Sequence, residues 1–271
     1  MTAIKTGKAF VSALFLALAL LPLPIRAQPL TENYLHAVNL AGQGKFPEAR
    51  KIFQEIVAGD PAHERAVRCL MIMDDLESRK IKPETASHLF QGLAYFYQDK
   101  FQEAVAAADR ALKINPNYKR AYNSRGGFYF GWEKNEQALA DLNRALELDP
   151  EYSGAFYNRG CLYLKLKQYG RAINDFDRAL KITPRYASAT YNRGLAHFQQ
   201  GNFLWALADF ARALEINPRL AEAQMNRALV LEELGQEQEA AAAYKKFLQT
   251  AYPSLSREMD YARERLRVLE K

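Results

Sequence analysis

A 34-residue period governs this sequence from residue 85 onward. When the chain is written in blocks that start at residues 85, 119, 153, 187 and 221, the same residue types recur at the same offsets. Small residues recur at the eighth and twentieth positions: Gly92, Gly126, Gly160, Gly194 and Ala228, then Ala104, Ala138, Ala172, Ala206 and Ala240. A proline stands near the end of four blocks, at Pro116, Pro150, Pro184 and Pro218. A fixed period of this length indicates a repeat architecture.

The recurring small residues predict two closely packed helices in each block. A side chain of minimal size lets two helix backbones approach each other. The proline lacks an amide donor and clashes with a preceding helical turn, so each second helix must end before it. We therefore predict an all-α fold in which antiparallel helix pairs stack on one another.

Two segments carry the pattern most plainly: FYNRGCLYLKLKQYGRAINDFDRALKITP at 156–184 and TYNRGLAHFQQGNFLWALADFARALEINP at 190–218. With their order of aromatic, Leu, Gly, Tyr, Ala, Phe, Ala and Pro, they resemble the tetratricopeptide repeat. An earlier copy begins near Leu30, with Ala37, Gly44, Phe46, Ala49, Phe53 and Pro61 at matching offsets. The resemblance implies a right-handed α-solenoid of stacked antiparallel helix pairs with a C-terminal capping helix. It also implies a role in holding other proteins, since such repeats seldom carry chemistry.

On this basis the chain divides into five parts. They are a signal peptide at 1–27, an N-terminal repeat at 28–63, an extra half-repeat helix and loop at 64–84, five tandem repeats at 85–252 (85–118, 119–152, 153–186, 187–220 and 221–252) and a capping helix at 253–271.

The first 27 residues have the order of a secretory signal peptide. Lys5 and Lys8 precede an apolar run at 9–21, two prolines end the run, and Ala27 offers a small residue for cleavage. The run is shorter than the roughly 20 residues that a spanning helix needs. We expect cleavage near Ala27, a periplasmic or secreted mature chain, and no stable membrane insertion afterwards. The alternative is an uncleaved anchor.

The sequence offers no constellation for catalysis, metal or cofactor binding. No two of the four histidines stand at helical ligand spacing, and Cys69 and Cys161 lie in no metal pattern, so we interpret both as free thiols. The net charge is +6, but three of the basic residues lie before residue 28 with no acid beside them, which leaves +3 on the rest. We therefore expect no enzyme, no cofactor, no metal and no nucleic-acid partner.

The resemblance implies that the first helix of each repeat lines a concave groove. Asn158, Asn192 and Asn226 recur at its sixth position, where carboxamides could bond the main chain of an extended peptide. The alternative is that asparagine is simply common at this position of the repeat. Aromatic residues that could anchor apolar ligand side chains occupy other groove positions: Tyr157, Tyr191, Phe130 and Phe198.

Two local departures from the pattern suggest contact surfaces. Gly127 falls on a groove position, so we predict a depression beside Phe130 and Tyr157 that admits a bulky side chain. Leu204 and Trp205 stand where other blocks have polar residues, which suggests a second interface or a dimer surface, with local packing as the alternative.

Arginine and aspartate also recur together in the middle of the array. Arginine occupies the seventh position and aspartate the twenty-third: Arg125, Arg159, Arg193 and Arg227, then Asp141, Asp175 and Asp209. We interpret them as structural pairs between helices. The alternative is a row of arginines that binds phosphates.

The sequence thus predicts an exported adaptor that binds an extended segment of a partner protein in its groove and helps assemble a cell-envelope complex. The alternative is a self-assembling structural module, a homo-oligomer without a groove ligand.

Overall fold

A computed structural model describes residues 31–270, and the predicted signal peptide lies outside them. These residues form helices and no strands. The α-helices are α1 (Glu32–Gly42), α2 (Phe46–Gly59), α3 (Glu64–Glu77), α4 (Pro83–Tyr97), α5 (Phe101–Ile114), α6 (Lys119–Gly131), α7 (Asn135–Leu148), α8 (Ser153–Lys165), α9 (Tyr169–Ile182), α10 (Ala187–Gln199), α11 (Phe203–Ile216), α12 (Ala221–Glu233), α13 (Glu237–Thr250) and α14 (Ser256–Leu269). A short 3₁₀ turn, Pro253–Leu255, precedes α14.

The all-α prediction and the stacked helix pairs are confirmed. The second helices α5, α7, α9 and α11 each end two residues before the recurring proline, as its missing amide donor requires. Among residues 31–270 no helix is long and apolar enough to cross a bilayer. Packing divides the chain into two compact units, whose described parts are residues 31–162 and 163–270.

In the unit 31–162, α4 packs against α5, and α6 packs against α7. The small residues do what the sequence predicts. A Cβ added at Gly126 would lie 3.0 Å from Cγ of Leu142, and one at Gly92 would lie 2.9 Å from the ring of Phe128. Because protein interiors leave no spare volume at such contacts, a larger side chain at either position would separate the helices.

The first three helices of this unit depart from the regular pairing. Helix α1 runs antiparallel along α4, with the hydroxyls of Tyr34 and Tyr97 3.1 Å apart at one end and Gln91 donating to the Gly42 carbonyl at 2.9 Å at the other. Helix α3 lies along α2 and is held there by Arg50 of α2, which pairs with its Asp74 at 2.7 Å. The predicted half repeat is thus a single helix, followed by α4 without an intervening partner.

In the unit 163–270, consecutive helices pack in the same way from α9 to α14. Phe210, Tyr244 and Phe247 are fully buried between them. The capping helix α14 buries Ala262 and Leu266 in the last cluster, and its Arg265 donates to Glu232 of α12 at 2.5 Å. Apart from Val268, the exposed residues of α14 are polar, as expected of a helix that closes a stack.

The turn between the two helices of a repeat needs one residue with left-handed backbone. Gly201 and Gly235 supply it at the fifteenth position with φ near +77° and +74°. In other blocks Asp99, Glu133 and Lys167 take the same conformation, with φ of 61°, 61° and 58°. Non-glycine residues adopt this region at a cost, so the turn geometry is imposed by the packing of the helices.

Arg125 and Arg193 form the predicted structural pairs, and Nη1 of Arg159 donates to Oδ1 of Asn143 at 2.7 Å. Arg125 donates through Nε and Nη2 to both carboxylate oxygens of Asp141, at 2.7 Å each, and its Nη1 reaches Asp109 of the preceding block at 2.5 Å. Arg193 repeats the arrangement with Asp209 and Asp177. Each arginine therefore joins its own repeat to the preceding one. The hydrogen bonds to Asp209 raise the pKa of Arg193 above its ordinary value, and Asp177 adds to this effect while burial opposes it.

We predict that Arg193→Met lowers the free energy of unfolding by about 3 kcal/mol, because it leaves the buried Asp209 carboxylate without its bidentate partner. The matched control is Arg212→Met, which breaks an exposed pair with Glu215 and should cost less than about 1 kcal/mol. Urea unfolding of both variants measures the difference. Equal decreases in the free energy of unfolding for Arg193→Met and Arg212→Met would contradict the structural role of Arg193.

Candidate functional site

A pocket opens in the unit 31–162 between helix α3 and the first helices of the neighbouring pairs. The space in it that the centre of a water molecule can reach is about 80 Å³, and the pocket is partly open to solvent. One wall is α3, and the opposite walls come from α1, α4, α6 and the start of α8. The lining residues are Tyr34, Arg65, Arg68, Cys69, Ile72, Leu93, Phe96, Tyr97, Arg120, Asn123, Ser124, Gly127, Phe128, Tyr152, Gly154 and Asn158.

Three basic and two amide side chains belong to the polar part of the lining. Arg65 and Arg68 come from α3, and Arg120 comes from the first turn of α6. Asn158 of α8 donates from Nδ2 to Oδ1 of Asn123 on α6 at 2.8 Å. None of the lining residues is acidic. The lining of the pocket therefore contains guanidinium and carboxamide groups and no carboxylate.

Beneath the arginines lies a buried cluster of hydroxyl and thiol groups. The hydroxyl of Tyr34 lies 3.1 Å from that of Tyr97 and 3.6 Å from Sγ of Cys69. Burial raises the pKa of both tyrosines and raises that of the Cys69 thiol to about 12. A thiol that stays protonated is a poor nucleophile, so we interpret this cluster as a structural part of the pocket wall and not as a reactive site.

A hydrogen-bonded triad fixes the end of α3 against α6. Asp75 of α3 accepts from Nε of Arg120 at 2.8 Å and from the Tyr118 hydroxyl at 2.9 Å. Burial alone would raise the pKa of Asp75, but the hydrogen bonds and charge of Arg120, with help from Tyr118 and Lys80, bring it below its ordinary value. Asp75 thus balances much of the charge of Arg120, while it orients that guanidinium beside the pocket.

Family models match the repeated part of the chain. Models described as tetratricopeptide repeat match residues 86–118, 157–221 and 191–256, and one described as TPR repeat matches residues 132–167. The chain belongs to the tetratricopeptide repeat family. Members of this family are protein-interaction scaffolds and are typically not enzymes.

Solved structures of other tetratricopeptide repeat proteins share the fold. MamA is 25% identical, with a TM-score of 0.53 over 59% of this chain and 93% of its own. The Thermus thermophilus protein TTC0263 is 22% identical, with a TM-score of 0.57 over 67% and 98%. PilF of Pseudomonas aeruginosa is 18% identical, with a TM-score of 0.61 over 69% and 88%. No curated protein matches the chain.

The depression predicted at Gly127 beside Phe130 and Tyr157 stays a prediction. Gly127 does line the pocket, but Phe130 and Tyr157 do not. Phe130 packs instead against the buried cluster that contains Leu142, and Tyr157 is 4% exposed. The other lining residues include Phe96 and Phe128.

In the unit 163–270, the structure places the predicted groove residues largely inside the repeats. Asn192 is fully buried, and Asn226 is 5% exposed and donates to the Tyr191 hydroxyl at 2.7 Å. Asn226 and Tyr191 are 35 residues apart, as are Asn158 and Asn123, so both pairs join consecutive first helices. Phe198 is half-buried against Phe203. A peptide-binding role for Asn192, Asn226, Tyr191 and Phe198 stays a prediction.

Leu204 and Trp205 lie on the surface of α11 and are 71% and 68% exposed. The indole of Trp205 stacks on the imidazole of His197, with ring centroids 6.0 Å apart. Local packing therefore covers one face of the indole and leaves the rest of this apolar pair in solvent. A second interface at this position stays a prediction.

Sequence reasoning missed the arginines of α3. Arg65 and Arg68 are three residues apart, which places both on one face of a helix. That spacing was visible, but α3 lies outside the 34-residue period, so nothing in the sequence indicated which helices its basic face would meet. Among residues 31–270 no group of three or more His, Cys, Asp or Glu side chains could hold a metal ion.

We predict that the stability advantage of the wild type over Asp75→Asn is largest at neutral pH and shrinks as the pH falls below about 4. The pKa of Asp75 is lowered by folding, so its contribution is present above the unfolded-state pKa and is lost as pH falls through the folded-state value. Urea unfolding between pH 3 and pH 7, in steps of about one unit, measures this. Asp260→Asn, which removes an exposed carboxylate on α14, is the control and should differ little from wild type throughout. A difference in the free energy of unfolding between the wild type and Asp75→Asn that does not change with pH would contradict a stabilising role of the triad.

Proposed function

We propose that this chain is an exported adaptor that holds an extended segment of a partner protein in the pocket between α3 and α6 and so helps assemble a cell-envelope complex. Export rests on the leader pattern at residues 1–27, and scaffold function rests on the family. The pocket supplies the candidate position of the ligand.

The observation that carries the proposal is the composition of the pocket wall. Carboxamides of Asn123 and Asn158 lie on consecutive first helices, line the pocket and are joined by a hydrogen bond, so they form one polar strip across two repeats, in which Asn123 is 7% exposed. Carboxamides and guanidinium groups can bond the main-chain carbonyls of an extended peptide regardless of its side chains. Ser124 and Gly127 line the adjoining wall, and their small size leaves room for the peptide itself.

The apolar part of the wall supports a peptide rather than a fully hydrated small ion. Leu93, Phe96 and Phe128 line it beside the amide strip. Partly apolar clefts with a few fixed polar groups are typical of sites that bind organic ligands and peptide side chains. An extended segment can satisfy both parts at once, with its main chain on the amides and alternate side chains on the rings.

We predict that a photoreactive benzoylphenylalanine at position 124 crosslinks a partner protein in cells, while the same residue at position 106 does not. Ser124 lines the pocket, whereas Ala106 is exposed on α5 away from the lining. Crosslinked products are identified by mass spectrometry. The crosslinked peptide on the partner should map to one segment.

The outcomes separate the two functional hypotheses. A partner segment captured at 124 alone supports the adaptor. Crosslinks at both positions, or at neither, contradict a ligand in this pocket. Crosslinks only to further copies of the chain favour the self-assembling module.

The self-assembling alternative has one observation in its favour, the exposed pair Leu204 and Trp205. Soluble proteins seldom leave two adjacent large apolar side chains this exposed without a use for them. If this pair forms a contact between copies, burial of both side chains would contribute about 3–5 kcal/mol to association before the cost of ordering the partners.

We therefore predict for the alternative that Trp205→Glu reduces the oligomeric state of the purified chain, measured by light scattering after size-exclusion chromatography. Gln102→Glu on α5, at the position that corresponds to Leu204, is the control for an added charge at an exposed site. An unchanged mass for Trp205→Glu across a concentration series would remove this patch as a self-association surface.

A further inference from the structure

We propose that the pocket between α3 and α6 selects an internal acidic side chain, Asp or Glu, within the partner segment, and that Arg65 and Arg68 are the residues that bind its carboxylate. This inference rests on the proposed function, since it specifies the ligand of the same pocket. It specifies the chemical class of the bound side chain, whereas the amide strip alone would bind any peptide main chain.

The placement of the two arginines is the first support. Arg65 and Arg68 lie on one face of α3, and both line the opening. Arginine presents a planar fork of donors that matches a carboxylate in two parallel hydrogen bonds. Two such forks one helical turn apart can bind one carboxylate from two sides.

The charge balance of the pocket is the second support. Three arginines line it, and no lining residue is acidic. Asp75, which lies beside this set, is held by Arg120 and Tyr118 and pairs at 3.5 Å with Lys80. Asp75 therefore offsets Arg120, and the guanidinium groups of Arg65 and Arg68 belong to the same lining.

The positive charges of Arg65 and Arg68 affect the pKa of tyrosines in the pocket walls. Burial raises the pKa of Tyr97, and the positive charge of Arg65 and then Arg68 acts in the opposite direction. Burial likewise raises the pKa of Tyr152, and Arg68 again opposes that rise after Arg120. The same charges that favour a tyrosinate on the walls favour a carboxylate in the space between them.

The apolar wall decides between the two sources of a peptide carboxylate. Ile72, Leu93 and Phe128 lie beside the arginines and can take a neighbouring apolar side chain. The amide strip of Asn123 and Asn158 lines the same pocket, so a peptide main chain bonded to it would lie beside the acidic residue. An internal Asp or Glu has main chain and neighbouring side chains on both sides to contact the amides and the apolar wall, whereas a chain terminus has them on one side only.

The test uses the purified full chain and C-terminally amidated, N-acetylated octapeptides that are degenerate at seven positions and carry one defined central residue. Pools with central Glu, Asp, Gln, Asn or Lys are compared by fluorescence anisotropy. A sixth pool has central Gln and a free C-terminal carboxylate. We expect the Glu and Asp pools to bind at least about tenfold tighter than their amide counterparts, because a charge-assisted bond is replaced by a neutral one.

The matched variants assign the selectivity to α3. Arg65→Gln/Arg68→Gln should remove the preference for acidic pools and change binding of the Gln and Asn pools less than about twofold, since the amide strip remains. Lys51→Gln/Arg110→Gln removes two exposed charges outside the lining and should keep the preference. Arg65→Lys/Arg68→Lys should keep part of it. Circular dichroism and thermal unfolding confirm that all three variants fold.

The outcomes separate this inference from the proposed function. Equal binding of acidic and amide pools, or an unchanged preference in Arg65→Gln/Arg68→Gln, would overturn the inference while leaving a peptide site in place. Tighter binding of the free C-terminal pool than of the Glu pool would overturn the choice of an internal residue. No binding of any pool, together with no crosslink from position 124, would overturn the proposed function itself.

Discussion

Close contact between the two helices of each pair is the constraint on which the rest of this molecule depends. At Gly126 and Gly194, an added Cβ would lie about 3 Å from the side chain of the partner helix. Packing at this density leaves each pair one way to dock, and the 34-residue period repeats that docking. A fixed repeat then places equivalent side chains in equivalent positions, which is why Asn158 meets Asn123 and Asn226 meets Tyr191 across the same 35-residue separation.

The arginine pairs add a second, polar tie between repeats. Arg125 and Arg193 each bond an aspartate in their own second helix and another in the preceding one, so a single side chain couples two helix pairs. This explains why basic and acidic residues recur together without forming a surface for phosphates. At Arg125 and Arg193 these guanidinium donors are already bonded to aspartates within the array, which argues against phosphate binding at these two positions.

Most of the helical architecture could be predicted from the sequence, because the period, the small residues and the prolines each have a local physical cause. The order and ends of α4 to α13 follow from those causes. The packing of α1 against α4 and the position of α3 could not be predicted, since they depend on contacts such as Tyr34 with Tyr97 and Asp75 with Arg120 that join residues far apart in sequence and outside the period. The burial of Asn192 and Asn226 was hidden for a related reason, as a repeat position alone does not tell how deeply its side chain lies.

The candidate site arises where the chain departs from its own repeat. A perfect array would place the same amides and aromatic rings in every block, and such a surface binds peptides without distinguishing among them. Helix α3 breaks the pattern because it has no paired second helix, and it places Arg65 and Arg68 opposite the first helices of two regular repeats. The regular part thus supplies a rigid wall with polar side chains that can bond a peptide main chain, and the irregular helix supplies charge. Specificity requires an interaction whose binding free energy differs between ligands. In the unit 31–162, the basic face of α3 is the feature that provides such an interaction.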